Sequence, residues 1–182
     1  MIDAPVLVAL ANAGRPRRPS GARRAVTEDP FEHPEAATTL LGAFLGRSVV
    51  AGELDSLRRL AREAGRIADG LIDGAGPSMR ALTRRAADCA GHAELRVTPT
   101  GALDAVVVWD DGPAAAVLAR RMIDELGGIE PGRLRRCARP ECGLIFYDSS
   151  RPGTQRWHSE VPCGWRERQR RRRGRARIPG EP

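Results

Sequence analysis

The clearest pattern of apolar and polar positions in this chain lies between residues 53 and 73. Apolar residues recur there at alternating spacings of three and four, which is the period of an amphipathic helix. They are Leu54, Leu57, Ala61, Ala64, Ala68 and Leu71. The opposite side of the predicted helix carries charged residues, and we interpret it as a solvated surface. Those residues are Arg58, Arg59, Arg62, Glu63 and Arg66.

Weaker patterns predict further helices. A short apolar element at the N-terminus is followed by a loop rich in Gly, Pro and Arg at residues 14–24. We interpret this loop as solvated, with a basic arm on nucleic acid as the alternative. Helices are then expected from Pro34, from Ser78 as an N-cap with Cys89 inside the helix, and from Pro113 to a pair of glycines.

Residues 94–109 show a different pattern, because β-branched residues concentrate at Val106–Val108 and the turn-rich TPTG divides the stretch. This pattern predicts two strands that form a β-hairpin or meander. The N-terminal domain, residues 1–130, is therefore predicted to be α+β and mostly helical. It contains no Gly-rich phosphate loop, no Ser/His/Asp arrangement and no internal repeat, so we do not expect an enzyme.

Three of the four cysteines and one of the three histidines lie close together near the C-terminus. Their order is Cys137-x4-Cys142-x15-His158-x4-Cys163, two close pairs separated by a loop. Two such pairs can complete a tetrahedral zinc site of three thiolates and one imidazole, with no position left for a substrate. The spacing therefore predicts a closed, structural Zn²⁺ site.

A zinc module of this size has few residues to pack around its metal. We expect Ile145 and Phe146 to supply apolar side chains, and Trp157 and Trp165 to pack on the module. Three thiolates on Zn²⁺ leave one net negative charge, which neighbouring arginines can offset. These arginines are Arg135, Arg136 and Arg139.

Other roles for these cysteines are less well supported. A redox pair would have the tight CxxC spacing, which is missing. The N-terminus has Asp3 and no positive n-region, and no apolar run approaches the roughly 18 residues of a membrane span. We therefore expect a soluble cytoplasmic protein with no membrane partner, in which cysteines stay reduced. Cys89 is expected to be buried, and His33 and His92 to lie at the surface or at helix ends.

The position of the positive charge is more informative than its type. All 30 basic residues are arginines, as a GC-rich coding sequence would give whatever the function. Residues 133–182 carry 14 arginines against 5 acids, whereas residues 1–132 carry 16 against 18. The run RERQRRRRGRAR at 166–177 is expected to bind polyanions, with a solvated tail as the alternative.

Residues 134–177 contain several features beyond the ligand spacing: Phe146, the Asp148–Ser149 segment, Arg151, the RW dipeptide before the third ligand, and Cys163–Gly164 with Arg166 after it. With the first cysteine pair, these residues resemble the CGNR zinc-finger family, whose members join an N-terminal ABATE-like domain to a C-terminal zinc-binding module. Weaker similarity extends upstream to LVALANAG and to the Leu-patterned helix. His158 stands where the family usually has Cys, and Trp165 stands where it usually has Asn.

This resemblance implies a DNA-binding transcriptional regulator with a zinc module at 133–177. It implies that the upstream domain is a sensor or an interaction unit, whose effector is either a small molecule or a protein. The nucleic-acid contacts are expected from arginines beside the metal and along the tail. They are Arg151, Arg156, Arg166, Arg168, Arg170, Arg171, Arg172 and Arg173. Duplex DNA is the favoured partner because few exposed aromatics accompany the basic run. The alternative is an RNA- or ribosome-associated zinc-binding protein.

Overall fold

A computed structural model describes residues 5–15, 29–109 and 112–175. The basic loop expected at residues 14–24 lies almost entirely outside the described residues. Within them the chain is α+β and mostly helical, with two small antiparallel strand pairs, which confirms the predicted fold class. None of the described helices is long and apolar enough to cross a membrane.

The helices, in chain order, are α1 (Pro5–Asn12), α2 (Pro34–Leu45), α3 (Leu54–Ile72), α4 (Arg80–Ala86), α5 (Ala114–Gly128) and α6 (Trp165–Arg175). Helices α1, α3 and α5 pack on one another and form most of the core. Apolar residues on α3 supply its central stripe. Pro34 occupies the first turn of α2. Proline is tolerated there because the backbone N–H that it lacks would have no partner within the helix.

The buried side of α3 is wider than predicted. Leu60 and Ile67 join the core, and Glu63, which we expected on the solvated surface, is buried as well. Glu63 lies about one turn from both Leu60 and Ile67, so the elements that cover these two residues also cover it. Arg58 was also assigned to the solvated surface, yet it forms an ion pair with Asp29 at 2.7 Å.

α4 is shorter than expected, and the hairpin begins earlier. Cys89 lies beyond the end of α4, although it is buried as predicted. Strand β1 (Gly91–Val97) pairs antiparallel with β2 (Leu103–Trp109), and the TPTG segment joins them. His92 therefore lies in β1 rather than at a helix end, and its side chain is exposed.

A second sheet, β3 (Leu134–Arg136) and β4 (Ile145–Tyr147), joins the C-terminal region to the helices. Leu134 and Ile145 are buried in the same core as the helices. Asn12 at the end of α1 is also buried, and its side-chain amide bonds the backbone of Ile145 twice. It accepts from the Ile145 amide and donates to the Ile145 carbonyl, both at 2.8 Å.

Ion pairs reinforce the same junction. Arg136 on β3 reaches Asp69 at 2.8 Å and Asp73 at 2.7 Å near the end of α3. The hydrogen bond from Arg136 lowers the pKa of Asp73 below its ordinary value. The division into residues 1–130 and 133–177 stays a prediction, but the two parts share a packed surface.

Candidate zinc centre and arginine helix

The four predicted ligands come together at one point. One ligand atom from each of Cys137, Cys142, His158 and Cys163 lies within 4.8 Å of the others. The Cys142 sulfur is 3.3 Å from Nδ1 of His158. In a tetrahedral site with Zn–S bonds of about 2.3 Å and Zn–N bonds of about 2.0 Å, sulfur and nitrogen lie about 3.5 Å apart. The geometry and the donor set therefore fit, and the four residues are positioned to bind a zinc ion.

The turn between β3 and β4 holds the first pair of ligands. Cys137 follows β3 directly, and its amide donates to the carbonyl of Leu144 at 2.8 Å. The Cys142 amide donates to the carbonyl of Arg139 at 3.0 Å. Gly143 then adopts a φ of 67°, which residues with a Cβ rarely take, and the chain turns back into β4.

A buried carboxylate organises the loop between the two pairs. Asp148 has 0% of its surface exposed and accepts hydrogen bonds from the amides of Ser150 and Gln155. Burial raises the pKa of Asp148, but the hydrogen bond from the Ser150 hydroxyl, together with those from the two amides, outweighs burial and holds the pKa below its ordinary value. The Asp148 carboxylate thereby holds the two ends of the loop segment 150–155 together before the chain reaches His158.

The second pair of ligands leads directly into α6. Cys163 lies in the helical turn Glu160–Gly164, and α6 begins at Trp165. Only Gly164 separates the ligand from the helix. A metal bound to Cys163 therefore fixes the position at which α6 starts.

The apolar side chains around the ligands differ from those predicted. Leu144 and Trp157 pack against the cysteines, whereas Ile145 is buried in the helical core and Phe146 is buried outside the cysteine cluster. The reason is that β4 packs on α1, which directs Ile145 towards the helices. Trp157 packs on the module as predicted. Trp165 is absent from this cluster, and 52% of its surface is exposed, so it is less covered than predicted.

Burial favours the neutral thiols in the absence of metal. It raises the pKa of Cys142 and of Cys163, and the neighbouring Cys137 raises both further because adjacent thiolates repel one another. A zinc ion reverses this preference, since its double positive charge stabilises the three thiolates and leaves one net negative charge.

Of the three arginines expected to offset that charge, Arg139 is the one with a described contact to a ligand. Arg139 contacts the Cys163 thiol, and this contact helps to raise the pKa of Arg139 against the opposing effect of burial. Arg135 instead donates to the carbonyl of Gly153 at 2.6 Å. Arg136 is bound to the carboxylates of α3.

Part of the positive charge on α6 is paired within the module. Glu167 is buried and forms ion pairs with Arg170 at 2.9 Å and with Arg171 at 3.3 Å. Arg168 forms an ion pair with Glu160 of the preceding turn. Sequence reasoning missed both acids, although Glu167 stands three and four positions before its partners, the spacing at which helical side chains meet.

The remaining predicted nucleic-acid contacts differ in their surroundings. Arg172 and Arg173 are exposed, and neither forms an ion pair within the described part of the chain. Arg151 is exposed on the loop, and Arg156 is exposed with its guanidinium carbon 5.5 Å from the centre of the Trp157 ring. Arg166 is half-buried near the start of α6.

Comparison with known proteins shows which kind of module this centre is similar to. The family model of the CGNR zinc finger matches residues 133–176, a span that contains all four ligands and α6. The C-terminal segment is thus similar to a CGNR zinc finger, with His158 completing a set of three cysteines and one histidine. A search of curated proteins finds no match to the chain.

Proposed function

We propose that this protein is a DNA-binding transcriptional regulator whose zinc module orients α6 on duplex DNA. The observation that carries the proposal is that α6 follows the ligand Cys163 after a single residue and presents exposed arginines. A helix held at one end by a metal site presents its charges in a fixed direction. That arrangement suits binding to a regular polyanion.

One side of α6 offers a surface for such contacts. Trp165, Arg168, Gln169 and Arg172 recur at spacings of three and four and so share one side of the helix. Glu167, in contrast, is buried. Because the planar guanidinium binds phosphate oxygens and guanine edges in pairs of hydrogen bonds, arginines on this side suit a DNA groove.

Sequence preference is proposed to come from the arginines beside the metal. Arg151 and Arg156 are exposed on the loop that returns to the ligand His158. Residues anchored near a metal are rigid enough to meet base edges, and Arg166 at the start of α6 has the same advantage. Replacing one of these arginines by Gln should change the ranking of DNA sequences, whereas loss of tail charge should weaken all of them about equally.

The salt dependence of binding to duplex DNA tests the proposal. The variant Arg172→Gln with Arg173→Gln removes two exposed charges. If both arginines contact phosphates, the slope of log K against log salt should flatten by about 1.8. Arg80→Gln with Arg84→Gln is the matched control, because it removes two exposed arginines from α4, outside the module. Equal effects of the two variants, or no binding at about 50 mM salt, would contradict the proposal.

A second candidate is an RNA- or ribosome-associated zinc-binding protein. The exposure of Trp165 beside the basic helix favours it, because aromatic side chains stack on the unpaired bases of single strands. Competition between single-stranded RNA and duplex DNA at equal salt separates the two candidates. If single strands compete better, and Trp165→Ala abolishes that advantage, the RNA-associated function replaces the DNA-binding one.

We further propose that residues 1–130 form an ABATE-like domain that receives a small-molecule or protein effector. A groove between the end of α3 and the zinc module supports this role, with Leu71 and Ile72 on one side and Arg135, Arg136 and Arg156 on the other. A ligand in this groove would touch both parts of the chain. The proposed role is binding rather than catalysis, because four protein ligands leave no open position on the zinc.

A further inference from the structure

The β1–β2 hairpin is a two-stranded sheet that has no third strand among the described residues. Isolated two-stranded hairpins are marginally stable in water, and an unpaired strand edge is a template for another strand. Both outer edges of this hairpin lack a strand partner within the described part of the chain.

The register of the hairpin separates an apolar face from a charged one. Residues that share one face alternate along each strand, and on the first face all the described side chains are apolar. They are Ala93, Leu95, Val97, Leu103, Ala105 and Val107. Leu95 is 73% exposed and Leu103 is 71% exposed, so none of the residues that the structure describes covers this face. The other face carries the charged residues of the hairpin, Glu94, Arg96 and Asp104.

The backbone of β1 offers hydrogen bonds along its outer edge. The Thr98 amide donates to the Ala102 carbonyl across the hairpin at 2.8 Å. In an antiparallel pair every second residue bonds the partner strand, so Arg96 and Glu94 direct their backbone groups towards β2. The intervening residues, Leu95 among them, direct their N–H and C=O groups outward.

We propose that a second copy of this chain pairs with the outer edge of β1, antiparallel to it, about a two-fold axis at Leu95. This pairing places Glu94 of each copy opposite Arg96 of the other copy, so that two ion pairs form across the new edge. It also places the Leu95 side chains of the two copies side by side on a continuous apolar face. The result is a four-stranded sheet. A sheet needs three or more strands for stability of its own, and the two-stranded hairpin falls short of that number.

Charge selects this register over its neighbours. A two-fold axis at Glu94 would place two carboxylates opposite each other, and an axis at Arg96 would place two guanidinium groups opposite each other. Pairing through β2 about Asp104 would again oppose like charges, and an axis at Ala105 would place Asp104 opposite Val106 without a partner. Directly opposed like charges destabilise a strand pair, whereas opposite charges stabilise it.

Charge reversal tests the register. The full-length, zinc-loaded protein is studied by sedimentation or by light scattering after size exclusion, with circular dichroism as a check on folding. Glu94→Arg and Arg96→Glu each place like charges opposite each other twice in the dimer. Each variant should raise the dimer dissociation constant about tenfold or more. The double variant restores opposite charges across the new edge, but it leaves Glu at position 96 opposite Asp104 within the hairpin. With Asp104→Arg added, opposite charges are restored at both places, and this variant should recover the affinity of the unaltered chain.

A pair of apolar substitutions separates edge pairing from packing of the two apolar faces against each other. Leu95→Asp places two carboxylates at the two-fold axis and should abolish the dimer. Leu103→Asp is the matched control, because it is equally exposed on the same face but lies on β2, away from the β1 edge. It should leave the dimer intact.

Several outcomes would overturn the proposal. The unaltered chain could remain a monomer at its highest soluble concentration, the charge reversals could have no effect, or Leu103→Asp could disrupt the dimer as strongly as Leu95→Asp. The assay contains no nucleic acid. Its result is therefore independent of whether the zinc module binds DNA.

Discussion

Three neighbouring cysteines repel one another as thiolates when no metal is bound. This repulsion makes the affinity of the centre for zinc depend on pH. Burial and the neighbouring Cys137 raise the pKa of both Cys142 and Cys163, so these thiols hold their protons at neutral pH without metal. Zinc has to displace one proton from each thiol that it binds. Its affinity should therefore fall as the pH falls, by about tenfold per pH unit for every proton released.

We predict one zinc ion per chain and a loss of binding when a ligand is removed. His158→Ala and Cys142→Ser each leave an incomplete tetrahedron, so both should lose most of the bound metal in elemental analysis. Cys89→Ser is the control, since Cys89 is buried away from the ligands. Unchanged metal content in both ligand variants, or metal well below one ion in the parent chain, would refute the site.

The buried carboxylate of α6 limits the positive charge that the helix can offer to a partner. Glu167 pairs with Arg170 and with Arg171, and these bonds lower the pKa of Glu167 below its ordinary value, with the larger effect from Arg170. The pairs therefore persist at neutral pH and break only when the pH falls through that lowered value. A phosphate that binds either arginine has to compete with this internal carboxylate.

Removal of this competition should strengthen binding to DNA. We predict that Glu167→Gln raises the affinity for duplex DNA and steepens the slope of log K against log salt by up to about 1.8, because two arginines become available to phosphates. Glu35→Gln is the matched control, since Glu35 is also an acid in the first turn of its helix, α2, but is distant from the arginine run in sequence. A slope that stays the same in Glu167→Gln would show that Arg170 and Arg171 do not contact the phosphates.

The elements show why part of the site could be predicted from the sequence and part could not. The ligands lie in two close pairs, so their spacing restricts the geometry before any tertiary contact is known. The partner of Ile145 is Asn12, which is 133 positions away, and no local pattern indicates that pair. The same holds for Glu63, whose burial depends on what packs across α3 and not on its own charge. Local periodicity predicted the helices but not the width of their buried sides.

At the scale of the whole molecule, the zinc module and the helices are joined by a shared core. Leu134 and Ile145 are buried with the helical residues, and Arg136 binds two carboxylates of α3. Loss of zinc should release the loop and α6 but not the helices α1, α3 and α5, which bury their apolar sides against one another. β3 and β4 lie between these two regions.

We predict that a chelator removes a minor part of the helical circular dichroism signal and lowers the melting temperature of the remainder. The remainder keeps its helical core but loses the order of the turn that holds β3 and β4 together. His158→Ala without chelator should give the same spectrum. Loss of most of the helical signal would mean that the helices depend on the metal and that residues 1–130 are not an independent domain.

The two hydrogen bonds between the Asn12 side chain and the backbone of Ile145 have a consequence for a chain that has been cut. A break between α5 and β3 would sever the covalent connection but leave the shared core, the Asn12 contact and the ion pairs of Arg136 in place. The two pieces would remain associated, and fragments produced separately should reassemble as a split protein does. The linker then serves mainly to keep the local concentration of the two pieces high.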